Sequence, residues 1–450
     1  MIESRIDTVR YDNGEIQRFQ IVSGFAWNDL EFVQPPFSKE AFGEMCRIYG
    51  KFVVPKNAFL YGIFLMFHVP EGMDIPFPYE TESGVFFDRQ LAAAEGLRAL
   101  VREGKILNED HHLVVDEPRA RAFLDTLEAG GWLQVCCGDR TDDVCVMPFG
   151  EDLGFLSALD PQPHIVCNSH FFQMDMFDGD SPYDIFGNPY GMTVKNGIMS
   201  LPPVNGREAF VVDMDGNPSI MRPDIREIPV LIQGKTFIHG RNCTMYARPW
   251  TRETPADEGL DIMVVGDEVV AFHEGGRVRV PAAGFVIHTR EHLETVQSPV
   301  QYPGQENILF AVQVGSSVVR DGEVVDHFES SFYDYRKDPV PYPPSMYPLD
   351  YSADRAPRMA VCSDADGDPV IVWAEGCSKL FYSRGNESCG ASLLEFGRYC
   401  RSIGLVNALN LDGGGSSEIF LDGKMHMHVS GRRDDNSDSE RPVPMGMMVR

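Results

Sequence analysis

The chain has 450 residues, 43% hydrophobic and 24% charged, the balance of a soluble globular protein with a sizeable core. Lys and Arg number 39 against 67 Asp and Glu, a net charge of -28, which excludes a nucleic-acid surface because phosphate backbones need clustered cations. A small substrate bearing phosphate is still allowed, since a few placed arginines can hold one.

The first seven residues, Met1 to Asp7, lack a basic segment followed by an apolar run, so no export signal is visible and a cytoplasmic location is expected. The longest apolar stretch, 59–69, is too short to span a bilayer and carries His68, so no membrane partner is expected. Ten cysteines are scattered without a C-x-x-C pair, against a zinc ribbon or thioredoxin motif. Cys362, Cys377, Cys389 and Cys400 crowd one region; with no export signal, buried thiols are expected rather than disulfides.

Apolar spacing predicts helices over 88–103, ending at Gly104, and over 117–127, with Pro118 in the first turn and Gly130-Gly131 beyond the end. Residues 1–131 therefore read as an α/β region of undefined role. From Trp132 onward strands dominate. Asp215-Gly216, Asp321-Gly322, Asp366-Gly367 and Asp422-Gly423 sit between β-rich flanks as hairpin turns. Residues 333–357 interleave prolines with tyrosines and read as a surface loop. A helix over 393–403 is framed by a capping box, Ser392 with Glu395, and by Gly404. It feeds a strand over 405–411; 418–421 and 424–429 read as two more. The fold expected is α+β: a mixed, mostly antiparallel sheet with flanking helices over 132–450, plus the N-terminal α/β region.

Between the strands at 405–411 and 418–421 runs Asp412-Gly413-Gly414-Gly415-Ser416-Ser417. It opens no helix and lacks the Gly-Lys-Ser/Thr ending, so it is not a P-loop. Uncovered backbone N–H groups in such a turn can converge on a phosphate or sugar oxygen, although a glycine bulge that lets two sheets approach reads equally well from composition.

Four segments, in order, resemble the phosphodiester glycosidase family. Asn168, Phe171 and Phe172 match its Asn-Gly-Gly-Phe-Phe element, with Ser169 and His170 in place of the glycines. Pro357, Arg358 and Ala360 match Pro-Arg-Thr-Ala, Leu411 to Ser417 match Leu-Asp-Gly-Gly-Gly-Ser-Ser in full, and Glu440 to Val443 match Glu-Arg-Pro-Val. The resemblance extends over about 132–450. It implies hydrolysis of a sugar 1-phosphodiester at the C1–O bond, on a glycosyl phosphodiester or nucleotide sugar. The phosphate monoester leaves easily, so cations can do much of the work. Arg358 and Arg441 are the candidates, with Gly413, Gly414, Gly415, Ser416 and Ser417 holding the remaining phosphate oxygens. Asp412 and Glu440 are the natural carboxylate pair, and Asn168 would take a sugar hydroxyl or an N-acetyl group. His170 adds bulk and a titratable ring where the family has glycine, pointing to a different sugar.

Each candidate has a structural alternative: an Asx turn for Asp412, an ion pair between Glu440 and Arg441, a strand start for Arg358, a turn for Asn168. A catalytically silent carbohydrate- or phosphate-binding protein is the rival function. A metal-dependent hydrolase built on His288 and His292 is the third, but that His-x-x-Glu-His pattern needs a helix and lies at a strand end. In Met425-His426-Met427-His428 the histidines share one strand face and the methionines the other. The run Asp434, Asn436, Asp438, Glu440 lacks the calcium-loop glycine and length. No cofactor is required; a divalent cation bridging that run to a phosphate is compatible with it.

Overall fold

The computed structural model describes residues 1–450 apart from 57–61, 79, 82, 83, 87, 138–142, 175–180, 205, 249, 295, 297, 329–352, 379 and 380. Most of the proline- and tyrosine-rich stretch at 333–357 thus lies outside the described residues.

Among the described residues four helices form: α1 (Lys39–Lys56), α2 (Arg89–Arg102), α3 (Pro118–Gly130) and α4 (Leu393–Ser402). The last three follow their sequence signals. Asp88 caps α2 by accepting from the N–H groups of Gln90 and Leu91, Gly131 closes α3 in the left-handed region at φ 71°, and Ser392 and Glu395 complete the capping box of α4. Helix α1 is unannounced, because Val53-Val54-Pro55 near its end reads as extended chain.

The expected helix-flanked α+β sheet is corrected: the protein is predominantly β, with seven sheets among the described residues. Its largest sheet has seven strands, in the order Glu3–Arg10, Ile16–Ser23, Pro369–Ala374, Arg358–Ser363, Asn407–Asn410, Ser317–Arg320 and Glu323–Val324. A four-stranded sheet runs Ile419–Leu421, Ile165–Asn168, Gly446–Val449 and Leu30–Val33. One face of each packs into a shared core with Phe210, Val212 and Phe310 of a five-stranded sheet, while the other face of the largest sheet is covered by α4, which crosses over from Pro369–Ala374 to Asn407–Asn410. The Asp-Gly turns fall where expected: Val212 pairs with Pro218, Arg320 with Glu323, and Ser363 with Pro369. Beyond Asp422-Gly423, however, 424–429 forms only a bridge from Lys424 to Leu421 instead of a strand. The alternation persists there, with Met427 buried and His426 and His428 exposed.

The sheets cross the boundary drawn at residue 131. Ile16–Ser23 pairs antiparallel with Pro369–Ala374, and Leu30–Val33 pairs with Gly446–Val449. Three helices serve a small sheet of Ile63–Phe67, Leu133–Cys137 and Val144–Pro148: Phe42 and Met45 of α1 pack against Phe64 and Met66, while Ala93 and Leu97 of α2 and Phe123 and Leu124 of α3 pack against Leu65 and Phe67.

Strand Arg358–Ser363 shows how pleating partitions the core. Met359 and Val361 join Ile165, Cys167, Trp373, Leu409, Leu411, Ile419 and Met447 between the sheets. Ala360 and Cys362 face Leu393, Phe396 and Cys400 of α4. Ala408 of Asn407–Asn410, the strand that leads into the glycine loop, joins the same cluster, so helix α4 backs that strand too. We expect Phe396→Ala, at a position with 0% exposure, to cost about 3–5 kcal/mol, measured by urea unfolding.

Candidate functional site

The glycine loop is a crossover between sheets. It leaves the large sheet after Asn407–Asn410 and enters the four-stranded sheet at Ile419–Leu421. Its first half extends the ladder of the neighbouring strand: Leu411 N–H donates to Met359 O at 2.7 Å, and Gly414 N–H to Pro357 O at 3.0 Å. A Cβ on Gly413 would lie 2.8 Å from that Pro357 carbonyl, so a side chain there is shut out by backbone.

Asn168 locks the crossover. Its Nδ2 donates to Asp412 O at 2.7 Å, and its Oδ1 accepts from Glu418 N–H at 3.2 Å. One buried amide thus joins the two ends of the loop, and Asp412 N–H donates to the adjacent Ser169 O at 2.9 Å. The side chain expected to meet a sugar holds the loop.

His170 is likewise internal. Its Nδ1 lies 2.8 Å from Ser169 Oγ and its Nε2 2.8 Å from Thr193 Oγ1. The ring thus sits between two hydroxyls, and Ser169 Oγ also donates to Met445 O at 3.0 Å. Burial drives the imidazole pKa down to about 3, which keeps the ring neutral. It fastens strand Ile165–Asn168 to neighbouring elements as a packed, uncharged residue.

Arg358 is also buried. Nε donates to Ala391 O at 3.0 Å and Nη2 to Asp354 O at 2.8 Å. The first bond ties the start of its strand to the segment before α4 and the second to its own lead-in, while Cδ stays within 3.9 Å of the Cβ position of Gly413.

The residues that do converge are Asp412, Ser416, Glu418, Glu440 and Arg441. The guanidinium of Arg441 lies over Gly415: a Cβ there would stand 2.4 Å from Nη2 and 2.7 Å from Cζ. Nη1 lies 3.5 Å from Ser416 Oγ, and Ser416 also hydrogen-bonds the Asp412 carboxyl. Desolvation pushes the Asp412 pKa up to about 7, against the lowering pull of Ser416, Arg441 and the Gly413 backbone. Glu440 does not simply pair with Arg441. Its carboxylate accepts from Ser157 N–H at 3.0 Å and from Ser157 Oγ at 2.5 Å. Desolvation raises its pKa while these bonds oppose the rise.

The loop carrying Glu440 and Arg441 is braced from the N-terminal third. Ser439 Oγ donates to Glu44 of α1 at 2.6 Å and accepts from Arg47 at 3.0 Å, and Gly154 and Val443 exchange backbone hydrogen bonds. Sequence reading missed Ser157 and Glu418. Ser157 has no local signature. Glu418 stands two residues after Ser416, which ends the short 3-10 turn Gly414–Ser416, so no strand alternation signals it.

His288 lies on strand Gly284–Thr289, its Nδ1 2.6 Å from Asp261, whereas His292 is exposed in the loop beyond. The two do not form the helical pair that the His-x-x-Glu-His signature requires. Among the described residues no three His, Cys, Asp or Glu side chains converge as metal ligands, and no helix is long and apolar enough to cross a membrane.

Residues 255–450 match the phosphodiester glycosidase family. The resemblance read from the motifs therefore holds for the portion carrying Arg358, the glycine loop, Glu440 and Arg441. The match begins well after residue 132 and does not include Asn168 or His170. The chain is 34% identical over 79 residues to the N-acetylglucosamine-1-phosphodiester alpha-N-acetylglucosaminidase of Mus musculus, a stretch covering 18% of this chain and 14% of that relative. Among solved structures it is similar to a hypothetical protein from Synechocystis (15% identity, 100% of this chain and 62% of that one, TM-score 0.43). It is also similar to the zebrafish N-acetylglucosamine-1-phosphodiester alpha-N-acetylglucosaminidase catalytic domain auto-inhibited by its pro-peptide (9% identity, 100% and 83% coverage, TM-score 0.36).

The contact over Gly415 yields a prediction. In Gly415→Ala the new methyl group meets the mobile end of a side chain, not backbone, so Arg441 gives way and the fold survives. Unfolding free energy is expected to change by less than about 1 kcal/mol. Carbon-13 NMR titration should show the Asp412 pKa rising above its wild-type value, because the cation that lowers it has moved.

Proposed function

We propose that the chain hydrolyses a sugar 1-phosphodiester, breaking the bond between C1 and the bridging oxygen to release the free sugar and a phosphate monoester. The observation that supports this most directly is the convergence of Asp412, Ser416 and Arg441 on the glycine loop, inside the stretch matched by the family.

In this reading Arg441 and the loop face the phosphate. As the C1–O bond breaks, its electron pair passes to the phosphate oxygen, and the guanidinium offsets the growing charge. Asp412 acts at the anomeric carbon as nucleophile or as the base that takes a proton from the attacking water. Glu440, oriented by Ser157, is the second carboxylate. Asn168 and Arg358 act through the loop they fix, as positioning residues. The acidic surface suits a small phosphodiester and argues against a polyanion. The sugar and the group esterified to the phosphate are set by surfaces that this cluster does not define.

The bond cleaved is read by mass spectrometry after brief turnover of α-linked sugar 1-phosphodiesters, nucleotide sugars included, in oxygen-18 water. Label in the free sugar is the expected result. Label in the phosphate, or no turnover by the wild-type chain, overturns the reading and favours attack at phosphorus or a binding protein.

Two further outcomes follow from Asp412. Asp412→Asn should lower kcat at least about 100-fold with little change in stability. The active form carries the ionised carboxylate, so kcat should rise with pH and level off above about 7, the value to which burial lifts this group.

A further inference from the structure

Glu418 is the one carboxyl of the cluster that the proposed reaction leaves unused. Its exposure is 0%, and neither Oε1 nor Oε2 has a hydrogen-bond partner among the described residues. Buried carboxylates are normally surrounded by donors, as Glu440 is by Ser157. Glu418 lies two residues beyond Ser416, whose Oγ meets Arg441, and the Asn168 clamp fixes its backbone N–H.

The groups facing Glu418 are few. Glu440 and Arg441 act on it from the terminal loop, the first opposing its ionisation and the second favouring it. Cys167 feels it from strand Ile165–Asn168, with a thiol pushed up mainly by burial. Asp412 shares Arg441 with it. Desolvation is the largest influence and holds its pKa well above the usual carboxylate range.

We propose that Glu418 is a positioning residue that acts through Arg441: a buried carboxylic acid that keeps its proton beside the guanidinium, so that the cation's charge is directed to an anionic group of the substrate rather than cancelled by the protein's own carboxylate. This rests on Arg441 as the phosphate-binding cation. Two neighbouring carboxyls are thereby driven apart in proton affinity by their surroundings. Glu440 is hydrogen-bonded by Ser157, whose donors favour its ionised form; Glu418 has no such donors among the described residues. Once pH rises enough to ionise Glu418, its carboxylate competes for Arg441 and repels a phosphodiester. Anion binding then weakens on the alkaline side, by up to about tenfold for each pH unit if only the protonated form binds.

The probe is dimethyl phosphate, a diester with one charge throughout neutral and alkaline pH. Its affinity for the full chain is measured by calorimetry against pH. Wild type should lose affinity as pH rises beyond the Glu418 ionisation. Glu418→Gln, uncharged and of the same shape, should bind about as tightly as wild type at neutral pH, share with wild type the step caused by Asp412 ionising near 7, and stay flat above it. A Gln variant with the wild-type alkaline loss overturns the proposal.

A second measurement does not depend on the variant's folding. Carbon-13 titration of the Glu418 carboxyl in the unaltered chain should show it protonated at neutral pH, with its pKa raised further by saturating dimethyl phosphate. Ionisation below neutrality, or no response to the diester, overturns the proposal. Failure of hydrolysis with these titrations intact defeats the proposed function alone. If dimethyl phosphate fails to bind at any pH, the role of Arg441 and that of Glu418 fall together.

Discussion

The site depends on one buried amide. Asn168 ties the carbonyl of Asp412 to the N–H of Glu418, and those residues stand at the two ends of a glycine run that crosses between sheets. A run of three glycines has more backbone freedom to lose than any other, so it holds a defined shape only where fixed bonds remove that freedom. The clamp does so without a side chain of the loop itself. The loop's surface stays open to Arg441 on one side and to the carbonyl of Pro357 on the other.

Around this clamp, residues from distant parts of the chain meet in one electrostatic field. Asp412 and Glu418 flank the loop, Arg441 lies across it, and Glu440 is turned towards Ser157. Two of the four are adjacent in sequence, yet their roles are set by neighbours elsewhere. Burial raises all three carboxyls, and the number of donors each finds separates them. The N-terminal third contributes by bracing the Glu440 loop through Glu44 and Arg47. A site matched only over 255–450 thus leans on the rest of the molecule.

Local chemistry was legible in the sequence alone. The capping box at Ser392 and Glu395, the stop at Gly131 and the Asp-Gly turns depend on contacts within a few residues, and they fall where the sequence puts them. The layering was not legible. Apolar helices beside strand runs read as helices flanking a sheet. Which face of a strand meets another sheet depends on residues far apart in the chain, as when Met359 packs with Ile165 and Met447 while Ala360 faces α4.

The sequence by itself determined the chemical inventory: a glycine loop between a carboxylate and two hydroxyls, an Arg-Pro pair near the end, and an excess of acidic over basic residues. Those follow from residue type and short spacing. Tertiary structure alone decided which of these groups face one another. It turned Asn168, His170 and Arg358 inward to hold backbone and hydroxyl partners, and it brought Glu418 into the field of Arg441 and Glu440. The physical reason is range. Turn and cap preferences act over one or two peptide units, whereas desolvation and charge depend on every element that packs against a group, and only the folded chain specifies those.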